Sequence, residues 1–177
     1  IWCVPRFSNP TGTVYDSDTV ARIARLSSIG AADFLVMWDN AYAVHALKDR
    51  AEPLTAIGSF SDDSGGADNV IQFGSTSKIT FAGAGISFLA ASSGNISKLT
   101  KHLGLSTIGP DKVNQLRHVR LLKNKAGITR HMQQHAEIIQ PRFQAVLSAL
   151  EQDLAGTGMG EWTTPGGGYF ISFESRQ

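Results

Sequence analysis

A single lysine, Lys78, stands among small hydroxyl residues directly after a predicted strand. The segment FGSTSK at residues 73–78 places Ser75, Thr76 and Ser77 immediately before it, with apolar residues on either side. A lysine amine can attack an electrophilic carbon or carry a proton when its site lowers its pKa from about 10.4. The neighbouring hydroxyls can donate hydrogen bonds to an anionic group. This set of residues indicates nucleophilic or acid–base chemistry.

Two further predicted strands also end in a polar side chain. The apolar run at residues 1–5 leads to Asn9, and the run at residues 34–38 leads directly to Asp39. Because ligands of parallel α/β sheets bind outside the carboxyl ends of the strands, we expect these residues and Lys78 to face one crevice. An amide, a carboxylate, hydroxyls and an amine fit a ligand with a basic ring, a phosphate and an electrophilic carbon. Pyridoxal 5′-phosphate has these features, and its usual protein partners are a lysine and an acidic residue at the ring nitrogen.

Short apolar runs that alternate with amphipathic segments must position these side chains. Residues 16–29 have a helical apolar face between two strand-like runs, which gives a strand–helix–strand unit. The remaining predicted elements are strands at residues 70–74 and 85–92 and helices at residues 93–105, 111–124 and 128–154, with a kink at Pro141. Residues 161–164 and 168–173 alternate apolar and polar side chains, which is typical of antiparallel strands.

The expected fold class is therefore α/β, with a mainly parallel sheet flanked by helices that continues into an α+β small domain. A shift in composition near residues 125–140 marks the candidate domain boundary. The segment at residues 48–69 is rich in turn formers, so it is expected to be mainly loop with one helical turn.

Composition limits the classes of partner. Sixteen Lys and Arg against fifteen Asp and Glu leave a net charge of +1, so no strong field attracts nucleic acid or an anionic membrane. No apolar run approaches the roughly 20 residues that span a bilayer. The single cysteine, Cys3, cannot form an internal disulfide, which fits a reducing compartment. We expect a cytoplasmic protein with no nucleic-acid or membrane partner.

Four motifs, taken in order, give the sequence a family resemblance. They are SNPTG at residues 8–12, DNAY at 39–42, STSK at 75–78 and PGGGYF at 165–170. Their order and spacing resemble those of the fold-type I pyridoxal-phosphate aminotransferases of class I/II. The phrases WDNAYAVH, STSKITFAGAGISF and IGPDKVNQLRH look most like the aspartate aminotransferases of the actinobacterial type. Each motif is weak by itself, whereas four in order are specific.

The resemblance implies that Lys78 is the catalytic residue. Its amine would hold the cofactor as a Schiff base and would then act as the base that moves the α-proton. The apolar residues Phe73, Ile79 and Phe81 would desolvate the amine and so lower its pKa. Asp39 would keep the ring nitrogen protonated, which makes the ring an electron sink.

The resemblance also assigns cofactor contacts to other residues. Tyr42 and Asn9 would bond the phenolic oxygen from two sides, and Asn9 would orient the substrate carboxylate. Ser75 and Ser77 would donate to the phosphate. One feature departs from the family, whose lysine is commonly followed by a Gly-x-Arg-x-Gly segment with a phosphate-binding arginine. Gly85 stands where that arginine is expected, so the phosphate charge must be neutralised from elsewhere.

The implied function is transamination between an amino acid, most closely aspartate, and a 2-oxo acid, most closely 2-oxoglutarate. The family forms homodimers and has a large and a small domain, so residues 1–130 would belong to the large cofactor-binding domain and residues 131–177 would begin the small domain. Some residues of the family's active site have no counterpart within residues 1–177. We therefore expect this chain to be a fragment that is inactive alone.

Other interpretations stay open at this point. A decarboxylase or a C–S lyase of the same fold type keeps the same lysine and aspartate, an aminotransferase-like domain can serve as an amino-acid sensor, and a truncated gene product has no activity. His131 and His135 have the spacing of a metal pair, but no third ligand is evident, so we expect solvated surface histidines. His45 lies at the rim of the site or has a structural role. The glycines at residues 166–168 allow close approach of two backbone segments.

Overall fold

A four-stranded sheet forms the centre of the chain, of which the computed structural model describes residues 1–47, 53–61 and 67–176. The strands lie in sequence order and are β1 (Trp2–Cys3), β2 (Val36–Asp39), β3 (Val70–Ser75) and β4 (Ser87–Ala90). The first three are parallel, and β4 is antiparallel to β3. The α/β class with a mainly parallel sheet, predicted from the sequence, is confirmed.

Helix α1 (Ser17–Ile29) covers one face of this sheet. Asp16 caps it, because its Oδ1 accepts a hydrogen bond of 2.8 Å from the Thr19 amide. Val20 and Ala24, on the predicted apolar face, are fully buried. They belong to one core cluster that also contains Cys3, Val36, Trp38, Ile57 and Val70. Burial of each large member contributes about 1.5–3 kcal/mol, and the cluster holds the first three strands in register.

Three helices follow the sheet: α3 (Ser93–Ser106), α4 (Lys112–Leu122) and α5 (Lys125–Leu154). Each begins after a side chain that accepts a hydrogen bond from a first-turn amide, and these N-cap residues are Ser92, Asp111 and Asn124. Their positions agree with the predicted helices to within a few residues. The predicted domain boundary at residues 130–131 falls inside α5, and the division into two domains stays a prediction.

Helical spacing predicts an inward face of α4 made of Val113, Leu116, Val119 and either Leu122 or Leu121, and this prediction is wrong in part. Val113, Leu116 and Val119 have exposed fractions of 64%, 48% and 63%. Leu122 is buried as expected, and the other buried residue of α4 is the polar His118.

Helix α5 runs through Pro141 without interruption. Met132 is its buried residue, whereas Ile138 and Val146, which were predicted to face inward, are exposed. The other apolar residues of the predicted face, Ile139, Phe143, Leu147, Leu150 and Leu154, are half-buried.

A second, two-stranded antiparallel sheet follows α5 and consists of β5 (Gly160–Trp162) and β6 (Phe173–Ser175). The pairing agrees with the predicted alternation, but β6 begins only at the end of the predicted range. Helix α2 (Gly58–Ser61) supplies the helical turn expected in the loop region. Parts of that predicted loop, residues 48–52 and 62–66, lie outside the described residues. None of the helices in the described ranges is long and apolar enough to cross a membrane.

Candidate active site

The carboxyl ends of β2 and β3 lie side by side at one end of the strands, which we call the sheet edge. Asp39, the last residue of β2, is in register with Phe73 of β3, and the Asn40 amide donates to the Phe73 carbonyl at 2.9 Å. Ser75 ends β3, and Lys78 follows three residues later. Asp39 and Lys78 therefore leave the sheet at the same edge, as the sequence predicted.

Lys78 and Tyr42 form the central contact of this edge. The Lys78 Nζ donates to the Tyr42 hydroxyl at 2.5 Å and lies 4.1 Å from the centre of the tyrosine ring. Tyr42 is 2% exposed, and its ring makes edge contacts with His45, Tyr169 and Phe170. A buried, well-packed phenol thus fixes the position of the lysine amine.

The apolar enclosure predicted around Lys78 is wrong in part. Phe81 is 73% exposed, and the Lys78 side chain is itself exposed. Phe73 and Ile79 are half-buried, and Phe73 stacks on Trp2 with ring centres 5.5 Å apart. The chain turns away from the sheet after Lys78, so Phe81 does not pack over the amine.

Asp39 is oriented by a neighbouring indole. The Trp2 Nε1 donates to Asp39 Oδ2 at 3.3 Å, and the stacking of Trp2 on Phe73 holds the indole beside the carboxylate. A carboxylate can accept more than one hydrogen bond. Oδ1 can therefore accept a bond from a ligand at this edge.

Ser75 and Ser77 lie together, as predicted. The Ser75 hydroxyl donates to the Ser77 hydroxyl at 2.8 Å and accepts from the Ser77 amide at 3.1 Å. The Gly85 backbone packs directly on Ser77, because a Cβ at position 85 would lie 2.7 Å from the Ser77 N and Cα and closer still to its Oγ. The two serine hydroxyls and the backbone of Gly85, which has no side chain, form a tight cradle.

The backbone carbonyl groups next to the lysine are held by three side chains, of which the sequence analysis placed only His45 near the site. The Lys78 carbonyl accepts from the Tyr169 hydroxyl at 2.9 Å and from His45 Nε2 at 3.1 Å. The Ile79 carbonyl accepts from His131 Nε2 at 2.7 Å. The prediction that His131 and His135 are solvated surface residues is therefore wrong, since both are half-buried and their rings lie 4.9 Å apart. Among the described residues, no cluster of three or more metal-ligating side chains occurs.

Asn9 lies on the loop that follows β1, with its peptide bond to Pro10 in the cis form. The side chain is exposed, and within the described ranges it makes no hydrogen bond to Lys78 or Tyr42. The loop nevertheless reaches this region, because a Cβ at Gly12 would lie 2.5 Å from Pro165 and 3.5 Å from the Phe170 carbonyl. Whether Asn9 contacts a ligand stays a prediction.

The glycines of the PGGGYF motif allow the close backbone approach that was predicted. The Gly168 amide donates to the His45 carbonyl at 2.8 Å, and a Cβ at Gly167 would collide with the same carbonyl and with Phe7. Gly166 differs from its neighbours, because nothing lies within 4 Å of a Cβ there. The close approach places Tyr169 beside the lysine, and this motif is the sequence signal that could have identified Tyr169.

The profile of the aspartate amino-transferase family matches residues 1–176 of the sequence. The chain belongs to the aspartate aminotransferase family.

Individual relatives agree with this membership. The aspartate aminotransferase of Corynebacterium glutamicum is 44% identical over 174 residues, which are 98% of this chain and 40% of that protein. A putative aminotransferase of Mycolicibacterium smegmatis is 49% identical over 98% of this chain and 40% of its own length. The chain thus spans about two fifths of the length of these curated relatives.

Solved structures of the family share the fold. The crystal structure of an aspartate transaminase from C. glutamicum superposes with a TM-score of 0.91 at 44% identity, covering 98% of this chain and 41% of that one. The kynurenine aminotransferase of Pyrococcus horikoshii, solved in complex with PMP, has a TM-score of 0.81 at 26% identity, with 97% of this chain and 40% of that one covered.

The cradle gives a physical reason for the glycine in place of the usual family arginine. Replacing Gly85 by alanine is expected to destabilise the chain by about 1–3 kcal/mol, because the new Cβ overlaps backbone atoms of Ser77 that cannot move without displacing Lys78. Chemical denaturation measures this loss. The matched control is Gly104→Ala on α3, where nothing lies within 4 Å of a Cβ and alanine is expected to stabilise by about 0.5–1 kcal/mol. Equal effects of the two alanines would contradict the cradle.

The stability of the chain should depend on the protonation of His45. Burial lowers the pKa of His45, and the hydrogen bond to the Lys78 carbonyl opposes this shift only in part. In the unfolded chain, a histidine has a pKa of about 6.5. Below that pH, His45 takes up a proton in the unfolded chain but stays neutral in the folded chain. Stability is therefore expected to fall as the pH falls from the unfolded pKa toward the folded one.

Thermal unfolding of wild type and His45→Gln between about pH 7.5 and pH 5.5 measures this dependence. The variant is expected to lose less stability on acidification than the wild type. His135 contributes in the same direction, because burial and the charge of His131 lower its pKa, so a residual slope remains. A variant with the full wild-type slope would show that His45 does not carry the effect; His102→Gln, on the exposed face of α3, is the control.

Proposed function

We propose that this chain carries the lysine-bearing part of a pyridoxal-phosphate-dependent transaminase site. The observation that supports this most directly is the bond between the Lys78 amine and the buried Tyr42 hydroxyl, at the sheet edge that Asp39 also occupies. The donor set fits the cofactor, since it offers an amine for the aldehyde, a carboxylate for the ring nitrogen and paired hydroxyls beside a bare glycine for the phosphate. When bound, the cofactor supplies an electron sink for the substrate α-carbon.

Lys78 does two things in this proposal. Its ε-amine would hold the cofactor at the aldehyde group, and as a free amine it would move the proton at the substrate α-carbon. Tyr42 holds the amine, because its hydroxyl accepts a hydrogen bond of 2.5 Å from Lys78 Nζ. The carbonyl contacts of Tyr169 and His45 keep the lysine backbone in place while the side chain alternates between these tasks.

Asp39 would hold the ring nitrogen of the cofactor through a charge-assisted hydrogen bond to its carboxylate. A bond of this charge-assisted type contributes roughly 1.5–3 kcal/mol, which raises the protonated fraction of the ring by one to two powers of ten. Trp2 leaves Asp39 free to do so because its indole occupies only Oδ2. The proposal also assigns Asn9 to the phenolic oxygen and to the substrate carboxylate.

Ser75 and Ser77 donate to the phosphate in this proposal, which requires the Ser75 hydroxyl to turn from Ser77 toward the phosphate. They are neutral donors, and Gly85 supplies no positive charge, so the phosphate is bound by hydroxyl and amide groups packed closely in the cradle. Lys78 is the one cation of residues 75–86 and is assigned to the aldehyde, so a cation that balances the phosphate must come from beyond this segment.

Aspartate and 2-oxoglutarate are the proposed substrates, supported by the resemblance of the motifs and by the 44% identity to the C. glutamicum aspartate aminotransferase. We also propose that the protein forms a homodimer in the cytoplasm. Residues 1–130 would belong to its large domain and residues 131–177 to its small domain. Since the chain spans about 40% of its relatives, we expect the chain by itself to transfer no amino groups.

A chimera tests the proposed activity, with residues 1–176 replacing the matching segment of the C. glutamicum enzyme. The fold similarity over 98% of this chain makes the exchange structurally feasible. Adding aspartate to the cofactor-loaded chimera should convert the cofactor to its amine form and release one oxo acid per site. Release of carbon dioxide or of a thiol from suitable substrates, with no amine form of the cofactor, would instead indicate a decarboxylase or a C–S lyase and would overturn the proposal.

A further inference from the structure

One helix holds both ends of the segment that contains Lys78. This lysine segment comprises residues 76–86, and α4 contacts it through Asn114 and His118, which lie four residues apart and therefore on one face of the helix. His118 is 8% exposed although it is a polar residue. Neither residue belongs to the four family motifs, and neither touches the lysine side chain.

His118 contacts two hydroxyls that lie at equal distance along the chain from Lys78. Its Nε2 is 2.9 Å from Thr76 Oγ1 and 3.0 Å from Thr80 Oγ1. Its Nδ1 is 2.9 Å from the Asn114 carbonyl, which can only accept, so Nδ1 carries a proton. In the neutral ring, Nε2 then accepts a hydrogen bond from a threonine hydroxyl.

The remaining bonds determine which hydroxyl donates. Thr80 Oγ1 donates to the Thr76 carbonyl at 3.1 Å, and the Thr76 hydroxyl donates to His118 at 2.9 Å rather than to the Ile86 carbonyl, which lies farther away at 3.4 Å. Thr76 Oγ1 also accepts from the Ile86 amide at 2.7 Å, and the Thr76 amide donates to the Ile86 carbonyl at 2.9 Å. His118 therefore orients a hydroxyl that ties the beginning of the lysine segment to its end.

Asn114 fixes the other end of the segment. Its Nδ2 donates to the Ala84 carbonyl at 2.8 Å and lies 3.4 Å from the Gly85 carbonyl. Gly85 in turn packs on Ser77, next to the lysine. The exposed side chain of Lys78 is thus carried by a segment that is bonded to α4 at its first residue, Thr76, and near its end, at Ala84 and Gly85.

We propose that His118 is a positioning residue for Lys78, acting through Thr76 and Thr80 to keep the lysine amine within reach of the Tyr42 hydroxyl. The proposal deepens the function proposed above and rests on it where it concerns the cofactor. The effect on the lysine segment does not depend on the cofactor. Loss of the imidazole removes the nearer acceptor of the half-buried Thr76 hydroxyl and the contact with Thr80, and it frees the segment to open locally.

The first measurement is amide hydrogen exchange of the whole chain without cofactor, read by mass spectrometry. In His118→Leu, exchange in the lysine segment is expected to accelerate about tenfold, as the loss of one to two hydrogen bonds implies, while β2 exchanges at the wild-type rate. His118→Gln, whose amide reaches the position of Nε2, should restore most of the protection. A purely global destabilisation would instead accelerate both regions together and would overturn the proposal.

The second measurement uses the chimera and pyridoxal phosphate. It determines the rate at which a borohydride-fixed adduct forms on Lys78. We expect a decrease of about tenfold in His118→Leu and a near-normal rate in His118→Gln. His102→Leu, the same change on exposed α3, should match the wild type. If His118→Leu does not fold, Thr80→Val removes the Thr80 contact with Nε2 together with the bond from Thr80 to the Thr76 carbonyl, and it should shift both measurements the same way by about threefold.

The two measurements separate the two proposals. Absence of an adduct in the chimera with the wild-type segment would refute the proposed function, whatever the exchange data show. An unchanged lysine segment in both His118→Leu and Thr80→Val would refute the positioning role, whatever the cofactor does. Adduct formation at the wild-type rate in both variants would equally refute it.

Discussion

Replacing Lys78 by alanine is expected to lower transamination by the chimera at least about 10⁴-fold, because the substitution removes both the covalent attachment point and the group that moves the α-proton. The Tyr42 hydroxyl would then lose its 2.5 Å partner but keep its ring contacts, so the fold should persist. Lys78→Arg keeps the positive charge and the length of the side chain but cannot form the bond to an aldehyde. It is expected to be as inactive as the alanine variant.

Steady-state turnover of aspartate measures this loss, and circular dichroism checks the fold. Lys98→Ala is the matched control, since Lys98 is exposed on α3. It should retain full activity. If Lys78→Arg kept more than about a tenth of the wild-type rate, the chemistry would not depend on a lysine amine at this position.

Replacing Asp39 by asparagine is expected to lower the rate of α-proton transfer by about 10–100-fold while the cofactor still binds. Asparagine has nearly the same shape and can still accept from the Trp2 indole. It carries no charge, however, so it does not hold the ring nitrogen in its protonated form. The electron sink weakens, and the chemical step slows more than binding does.

A single-turnover half-reaction with aspartate, compared with the dissociation constant of the cofactor, separates these two effects. Asp33→Asn, in the exposed turn before β2, is the control and should behave as the wild type. A rate unchanged by Asp39→Asn would mean that the carboxylate does not face the ring nitrogen. A loss of binding without a change in rate would assign Asp39 a structural role instead.

Much of the sheet edge could be predicted from the sequence. Short apolar runs define β2 and β3, and parallel strands bring their carboxyl ends together, so Asp39 and Lys78 had to lie at one edge. The contact of Tyr42 with Lys78 agrees with the family resemblance and did not follow from periodicity.

The supports of the lysine segment could not be predicted in this way. The bonds from His131 and Tyr169 join residues 52 and 91 positions apart, and their acceptors are backbone carbonyls, which leave no mark on the sequence pattern. On α4, the apolar spacing of Val113, Leu116 and Val119 pointed to exposed positions. Hydrophobic periodicity identifies which residues share a face of a helix, but it does not identify the face that hydrogen bonds hold against the lysine segment.

The most direct test of the account is a crystal structure of the chimera after treatment with pyridoxal phosphate and borohydride. We expect the aldehyde carbon to be bonded to Lys78 Nζ and the ring nitrogen to lie about 2.7–3.2 Å from an Asp39 carboxylate oxygen. A cofactor attached to another lysine, or a ring nitrogen that points away from Asp39, would contradict the central claim that one ring is held between these two groups.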